Sequence, residues 1–229
     1  MTSAAAPAPT RFLEPITGLF AGLLVISNIC SNRLITMGPL EFDAGTLMFP
    51  LTYVFGDLLT EVYGFARSRR VIWTGFLTLF VATACLLVAS LFPSPAGHGA
   101  SQAWDQALAL TPRIALASLV AYLAGEFANS MTLSRMKARG DNGPGRRFVV
   151  STIFGQSLDT LIFASIAFLG LLDARLWLTL VVSNYVYKVG FEIILLPATL
   201  YFSRRLKEAE GLDAVDAGTS LNPFRWRLV

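Results

Sequence analysis

Six stretches of this chain stay apolar for longer than the core of a soluble protein requires. They lie near Pro15–Asn32, Ala44–Tyr63, Val71–Phe92, Pro112–Leu133, Phe148–Leu172 and Leu176–Phe202. A hydrocarbon layer about 30 Å thick takes about 20 helical residues to cross. Backbone N–H and C=O groups in lipid must be satisfied within the segment, so runs of this length fold as helices. The whole chain is 54% hydrophobic and only 14% charged, against about 25% charged in soluble domains. The expected fold is therefore an all-α integral membrane protein, a bundle of six transmembrane helices. Residues 1–14 form a short N-terminus, 15–203 the six-helix transmembrane domain and 204–229 a tail. The tail is charged and contains Ala and Gly, a composition that predicts mobility. No cleavable signal is evident, because the N-terminus has no basic region and the first apolar run is too long.

Charge placement sets the orientation. In a six-span scheme Arg11, Arg67, Arg69, Arg70, Arg135, Lys137, Arg139, Arg146, Arg147, Arg204, Arg205, Lys207, Arg225 and Arg227 share one side. Of the 18 basic residues, that leaves Arg33, Arg113 and Arg175 opposite and Lys188 inside a span. The positive-inside rule then places both termini in the cytoplasm. These basic clusters are short, juxtamembrane and without interleaved aromatics, which argues against a nucleic-acid surface. Cys30 and Cys85 sit in apolar runs without metal spacing, as inert buried thiols do. His98 is the only histidine and builds neither a zinc site nor a His-based triad. No cofactor is expected.

Against this apolar background, charges inside the spans stand out. Tyr53, Asp57 and Glu61 repeat at four-residue spacing in span two, as do Asn184, Lys188 and Glu192 in span six. Span four carries Tyr122, Glu126 and Asn129, span five Gln156, Asp159 and Thr160, and span one Asn28 and Asn32. Residues at i and i+4 share a helix face. A charge in hydrocarbon costs at least about 2.5 kcal/mol, so such stripes turn toward a bundle interior or a wet cavity. Amides and hydroxyls in spans often serve as interhelical glue, the plainer role for Asn28, Asn129 and Thr160. Glu61 has an equally plain alternative, an interfacial salt bridge with Arg67 or Arg69. Asp57 and Asp159 lie deepest and are expected to line one shared, water-reachable chamber. The acids outnumber the single base, which requires either protonated carboxyls or a ligand that donates hydrogen bonds.

Val54-Phe-Gly-Asp-Leu-Leu-Thr60 echoes Ile153-Phe-Gly-Gln-Ser-Leu-Asp159. Two three-helix halves of opposite topology, an inverted repeat, would place a site at their interface near mid-membrane.

Ser27-Asn-Ile-Cys-Ser-Asn32, Phe49-Pro-Leu-Thr with Asp57 and Glu61-Val-Tyr-Gly64, Ala121-Tyr-Leu-Ala-Gly-Glu126, Gln156-Ser-Leu-Asp-Thr-Leu-Ile-Phe163 and Asn184-Tyr-Val-Tyr-Lys188 together resemble the queuosine precursor transporters, a branch of the vitamin uptake transporter family. The resemblance covers nearly the whole membrane part in order. It implies import of 7-cyano- and 7-aminomethyl-7-deazaguanine across the bacterial inner membrane for tRNA modification. Glu126 and Asn129 stand where the family more often has Gln and Asp, an exchange across one turn.

The chemistry of such a base fits the residues. N1–H and the exocyclic amine sit side by side, and one carboxylate accepts both in a fork. The O6 acceptor takes a donor such as Gln156, Asn184 or Lys188. The flat ring takes an aromatic face from Tyr53, Tyr185, Phe163 or Tyr187. The expected substrate site is Asp57, Gln156, Asp159 and Lys188, then Asn32, Glu61, Glu126, Asn184, Tyr53 and Tyr185. The partners expected are a small deazapurine base, the lipid bilayer and, as an open option, a second copy in a homodimer. The competing class is a substrate-capture subunit of an ATP-driven importer, which lacks an ATPase of its own. An intramembrane protease is disfavoured, because Phe55-Gly-Asp57 lacks the Gly-x-Gly-Asp pattern and no Ser/His pair exists.

Overall fold

The computed structural model describes residues 10–225 except 32, 38–39, 94–98, 100–102, 105–110 and 142. Expectations for Asn32 and His98 lie outside the described residues. Among the described residues there are six long helices: α1 (Leu13–Cys30), α2 (Phe49–Tyr63), α3 (Phe65–Ser90), α4 (Thr111–Ala138), α5 (Pro144–Phe168) and α6 (Ala174–Glu210). Five of them, all but α2, are long and apolar enough to cross a membrane. With them the chain reads as a multi-pass membrane protein.

α2 has 15 residues, about 22 Å of helix, and falls short of the span expected from Ala44 onward. Ala44–Leu47 forms a 3-10 turn instead, capped by Asp43, whose side chain accepts from the Thr46 N–H. At the other end Gly64, at φ +80°, stops α2 and turns the chain into α3. Only glycine takes that conformation without strain. Ahead of the 3-10 turn lies an antiparallel hairpin, β1 (Leu34–Met37) with β2 (Leu40–Asp43). The fold is thus mostly helical rather than all-α. The hairpin hands its backbone hydrogen bonds to its own partner strand, which meets the demand that helices meet elsewhere.

The helices alternate in direction, so the ends near Phe12, Tyr63, Phe65, Ala138, Pro144 and Glu210 gather at one pole. This is the end rich in Arg and Lys. α4 and α5 make the closest pairing, through Gly125 and Gly155. A Cβ on Gly125 would lie 3.1 Å from the Gly155 carbonyl oxygen, and one on Gly155 would lie 2.8 Å from Asn129 Cβ. Small residues of this kind let membrane helices approach closely. Outward faces carry Leu77, Phe80, Val81 and Val88 on α3 and Val186, Ile193 and Ile194 on α6, all exposed.

The tail is not loose. After α6 it lies across the basic pole. The Ala214 N–H donates to the Val62 carbonyl, and Asp216 accepts from the Phe65 N–H and from Ser134. Arg69 donates to the Ser220 and Asn222 carbonyls. Trp73 donates to the Pro223 carbonyl and packs against Phe224. The expectation of mobility fails here because composition says nothing of these tertiary partners.

Candidate functional site

The polar stripes of α2 and α6 run side by side from the hairpin pole toward the basic pole, and each position meets a different layer. In the outermost layer, a cavity of about 30 Å³ is lined by Ser27, Asn28, Asp43, Thr46, Phe49, Tyr122, Asp159, Phe163 and Lys188, among others. The Lys188 ammonium lies 2.7 Å from Asp159 Oδ2 and 4.3 Å from the centre of the Phe49 ring. Both partners of this ion pair are buried. Thr46 Oγ1 lies 2.8 Å from Asp43 Oδ2 and 3.2 Å from Asn184 Oδ1, which ties α6 to the 3-10 turn.

One turn further along α2, Tyr53 is fully buried. Its ring edge comes within 3.1 Å of a Cβ position on Gly155, and its hydroxyl meets the Cβ position of Gly125. The ring is therefore wedged into the α4–α5 crossing, in the space left by the two glycines. Next in sequence to those glycines stand Glu126 and Gln156, both 0% exposed. Glu126 packs on the backbone of α2, with one carboxylate oxygen 2.7 Å from where a Cβ on Gly56 would be. The hydroxyl of Tyr53, both carboxylate oxygens of Glu126 and both side-chain heteroatoms of Gln156 have no hydrogen-bond partner among the described residues. Buried polar groups are nearly always paired, and each exception costs about 1–3 kcal/mol.

Below Tyr53 a second cavity of about 10 Å³ is lined by Val54, Asp57, Phe148, Thr152, Glu192, Leu196 and Thr199, among others. Asn129 donates to Asp57 Oδ1 at 2.7 Å. The two aspartates thus face different cavities, with the Tyr53 layer between them. The single shared chamber expected from the sequence is divided because two glycines at the α4–α5 crossing admit an aromatic ring.

Deeper still, Glu61 is fully buried in a cage of cations. Arg147 Nη2 and Lys207 Nζ each lie 2.6 Å from its Oε1, and Lys137 Nζ lies 3.6 Å away. These cations come from α5, α6 and α4, not from Arg67 or Arg69 on the neighbouring turn. Lys137 and Lys207 also reach Asp213 of the tail at 2.5 and 2.9 Å. Burial pushes the Asp213 carboxyl up, but hydrogen bonds from Lys137 and Lys207 outweigh it and hold the group below its ordinary value. Arg147 donates to the Asp141 carbonyl, which fastens the α4–α5 turn to the same cage.

Seven of the expected residues, Asp57, Glu126, Gln156, Asp159, Asn184, Lys188 and Tyr53, are therefore stacked along one axis. Glu61 belongs to the cage beneath them. Tyr185 is partly buried and lines neither cavity. Tyr187 stacks on Phe42 of the hairpin, ring centres 5.0 Å apart. Asp43 and Thr46 enter the outer wall without having been foreseen. Their signal is an Asp three residues before a Thr at the head of an apolar run, a helix-capping pattern. Among the described residues no group of three His, Cys, Asp or Glu side chains is arranged to hold a metal ion.

The chain is 31% identical over 187 residues to the probable queuosine precursor transporter of Bacillus subtilis (strain 168), covering 79% of this chain and 81% of that one. It is 29% identical over 159 residues to the queuosine precursor transporter of Escherichia coli (strain K12), covering 66% and 67%. It is also 29% identical over 154 residues to the probable queuosine precursor transporter of Haemophilus influenzae (strain ATCC 51907 / DSM 11121 / KW20 / Rd), covering 66% and 63%. No solved structure matches the chain. These relatives are transporters, not enzymes. Residues 43–202, from the capping Asp43 through the whole polar axis, match the model of the family described as "Putative vitamin uptake transporter", and the chain belongs to that family.

Proposed function

We propose that this chain imports queuosine precursors, 7-cyano-7-deazaguanine and/or 7-aminomethyl-7-deazaguanine, across the bacterial inner membrane for tRNA modification. The observation that carries the reading is the buried Asp159–Lys188 pair in the wall of the outer cavity. A deazaguanine offers two adjacent donors and one acceptor on a single edge. Asp159 accepts N1–H and the amine, and Lys188 donates to O6. Phe49 and Phe163 in the same wall supply faces for the ring, while Asn184 and Thr46 set the rim.

Neither cavity has room for a bicyclic base as it stands. One water takes about 10–15 Å³ measured in this way, and small-molecule sites run to about 300 Å³ or more. The structure corresponds to a closed state, and transport requires the Tyr53 layer to move. Six spans complete the proposal. α2 with its preceding 3-10 turn covers about 30 Å, both termini are cytoplasmic by the positive-inside rule, and Gly56 and Gly155 mark equivalent places in two inverted halves.

The test is uptake of either labelled base by purified protein in liposomes. Uptake by the chain alone, lost in Asp159→Asn and Lys188→Gln variants that still insert, is the expected result. Wild-type rates in both variants would overturn the site. A strict requirement for an added ATPase would move the chain to the class of capture subunits.

A further inference from the structure

We propose that Glu126 carries a proton, and that import is driven by proton symport through it. This rests on the transporter reading above and adds its driving ion.

Four carboxyls lie along the axis: Asp159, Glu126, Asp57 and Glu192, all buried. One ammonium, Lys188, shares that space, and it is spent on Asp159 at 2.7 Å. Asp57 receives the Asn129 amide. Glu192 lines the inner cavity beside Thr152. Glu126 and Glu192 both lack a hydrogen-bond donor on either oxygen, but Glu192 has Lys188 one turn away on its own helix, whereas Glu126, 0% exposed, has no cation among the groups that face it. A carboxyl with those surroundings rests as the neutral acid.

The groups that face it come from every packed element. α2 brings Tyr53 and Asp57, α5 brings Asp159, and α6 brings Glu192. On α4 itself Tyr122 lies one turn away, its hydroxyl donating to the Ile72 carbonyl. α3 packs on α4 at Tyr122, and its ionisable side chains are Arg67, Arg69 and Arg70 at the basic pole and the exposed Cys85. No cation among these reaches Glu126.

A second, independent observation points the same way. The Tyr53 hydroxyl and the Gln156 amide are fully buried and unpartnered at the same level, between the outer and inner cavities. A hydroxyl can both accept and donate a proton, which makes Tyr53 the conduit from the outer cavity to Glu126. Asp57 and Glu192 in the inner cavity then receive the proton on the basic side. The step is simple in its balance: a carboxylate takes one proton from the outer face and yields one to the inner face. Base and proton move together because both passages need the Tyr53 wedge withdrawn from between Gly125 and Gly155.

Two measurements decide it. Liposomes holding the purified protein and a trapped pH dye receive labelled 7-cyano-7-deazaguanine, with and without an acidic exterior. A one-unit gradient coupled to one proton per base is expected to support about tenfold accumulation, with acidification of the lumen. Glu126→Gln is expected to make base movement independent of the pH gradient, with neither accumulation nor acidification of the lumen. Accumulation that ignores the gradient would overturn the proton and leave the import reading intact. The second measurement needs no substrate. Infrared spectra of the purified protein at neutral pH should show the C=O stretch of a protonated carboxyl that Glu126→Gln removes and Glu126→Asp retains. Identical spectra for wild type and Glu126→Gln would overturn the assignment even if no base were transported.

Discussion

Glu61 and Glu126 are the same residue, equally buried, and they sit in opposite surroundings. Glu61 is held by Arg147, Lys207 and Lys137 from three different helices. Glu126 faces acids and two phenols and has no hydrogen-bond partner on either oxygen. The first is a fixed charge whose work is to tie α2, α4, α5 and α6 together at the basic pole. The second has no fixed partner and is free to exchange one. Burial alone therefore says little about what a membrane carboxylate does. The count of opposite charges within reach separates a fastener from a carrier.

Stability is where the two should differ most. Glu61→Gln leaves the buried Arg147 without its carboxylate partner and the half-buried Lys207 with Asp213 only. Removing one partner of a buried pair costs about 3–5 kcal/mol, so this variant should unfold far more readily in detergent. Glu126→Gln removes an unpaired acid and should be neutral or slightly stabilising. Thermal unfolding of the two purified variants side by side checks this. Equal losses in both would mean that Glu126 has a structural counter-charge after all.

The glycine crossing sharpens the same contrast by acting on Tyr53 without removing any charge. Gly125→Ala would place a methyl 2.8 Å from Asp159 Cβ and against the Tyr53 hydroxyl. Overpacking of that kind costs about 1–3 kcal/mol. Gly22→Ala, with nothing within 4 Å of its Cβ, should be neutral or gain up to about 1 kcal/mol from helix propensity. The expected outcome is a lowered unfolding temperature and slowed uptake for Gly125→Ala only. Normal uptake by that variant would remove Tyr53 from the barrier between the cavities.

Much of this was legible in advance, and the limits have physical reasons. The apolar runs located the helices, because length and hydrophobicity are properties of one segment. The stripes at Tyr53, Asp57, Glu61 and at Asn184, Lys188, Glu192 gave the inward faces for the same reason. A face does not name the helix opposite, so the Asp159–Lys188, Asp57–Asn129 and Glu61–Arg147 pairings had to come from three dimensions. The hairpin did leave a trace. Leu34-Ile-Thr-Met37 and Leu40-Glu-Phe-Asp43 flank Gly38-Pro39, a turn dipeptide between two short strands. That trace was hidden by the longer apolar signal of Ala44 onward. The tail was misread for the converse reason, since its docking rests on partners some 80 to 150 residues away.

The tail supplies the smallest effect and the one with a defined sign. Asp213 is more than half exposed, so its bridges to Lys137 and Lys207 are worth no more than about 1 kcal/mol after screening by solvent. Its carboxyl is depressed in the folded protein. A depressed carboxyl contributes stability that is present above its unfolded value, about 3.9, and is lost as pH falls through the lower folded value. Asp213→Asn should therefore loosen residues 211–225 at neutral pH, with hydrogen exchange at Ala214 faster by a factor of about 5 or less. At a pH below the folded value, wild type and variant should exchange alike at a common pH-corrected rate. The Glu61 cage should survive in both, because Arg147 holds Glu61 without help from the tail. A difference that persisted undiminished in acid would show that the tail is held by Asp216, Arg69 and Trp73 alone and that Asp213 contributes through its shape rather than its charge.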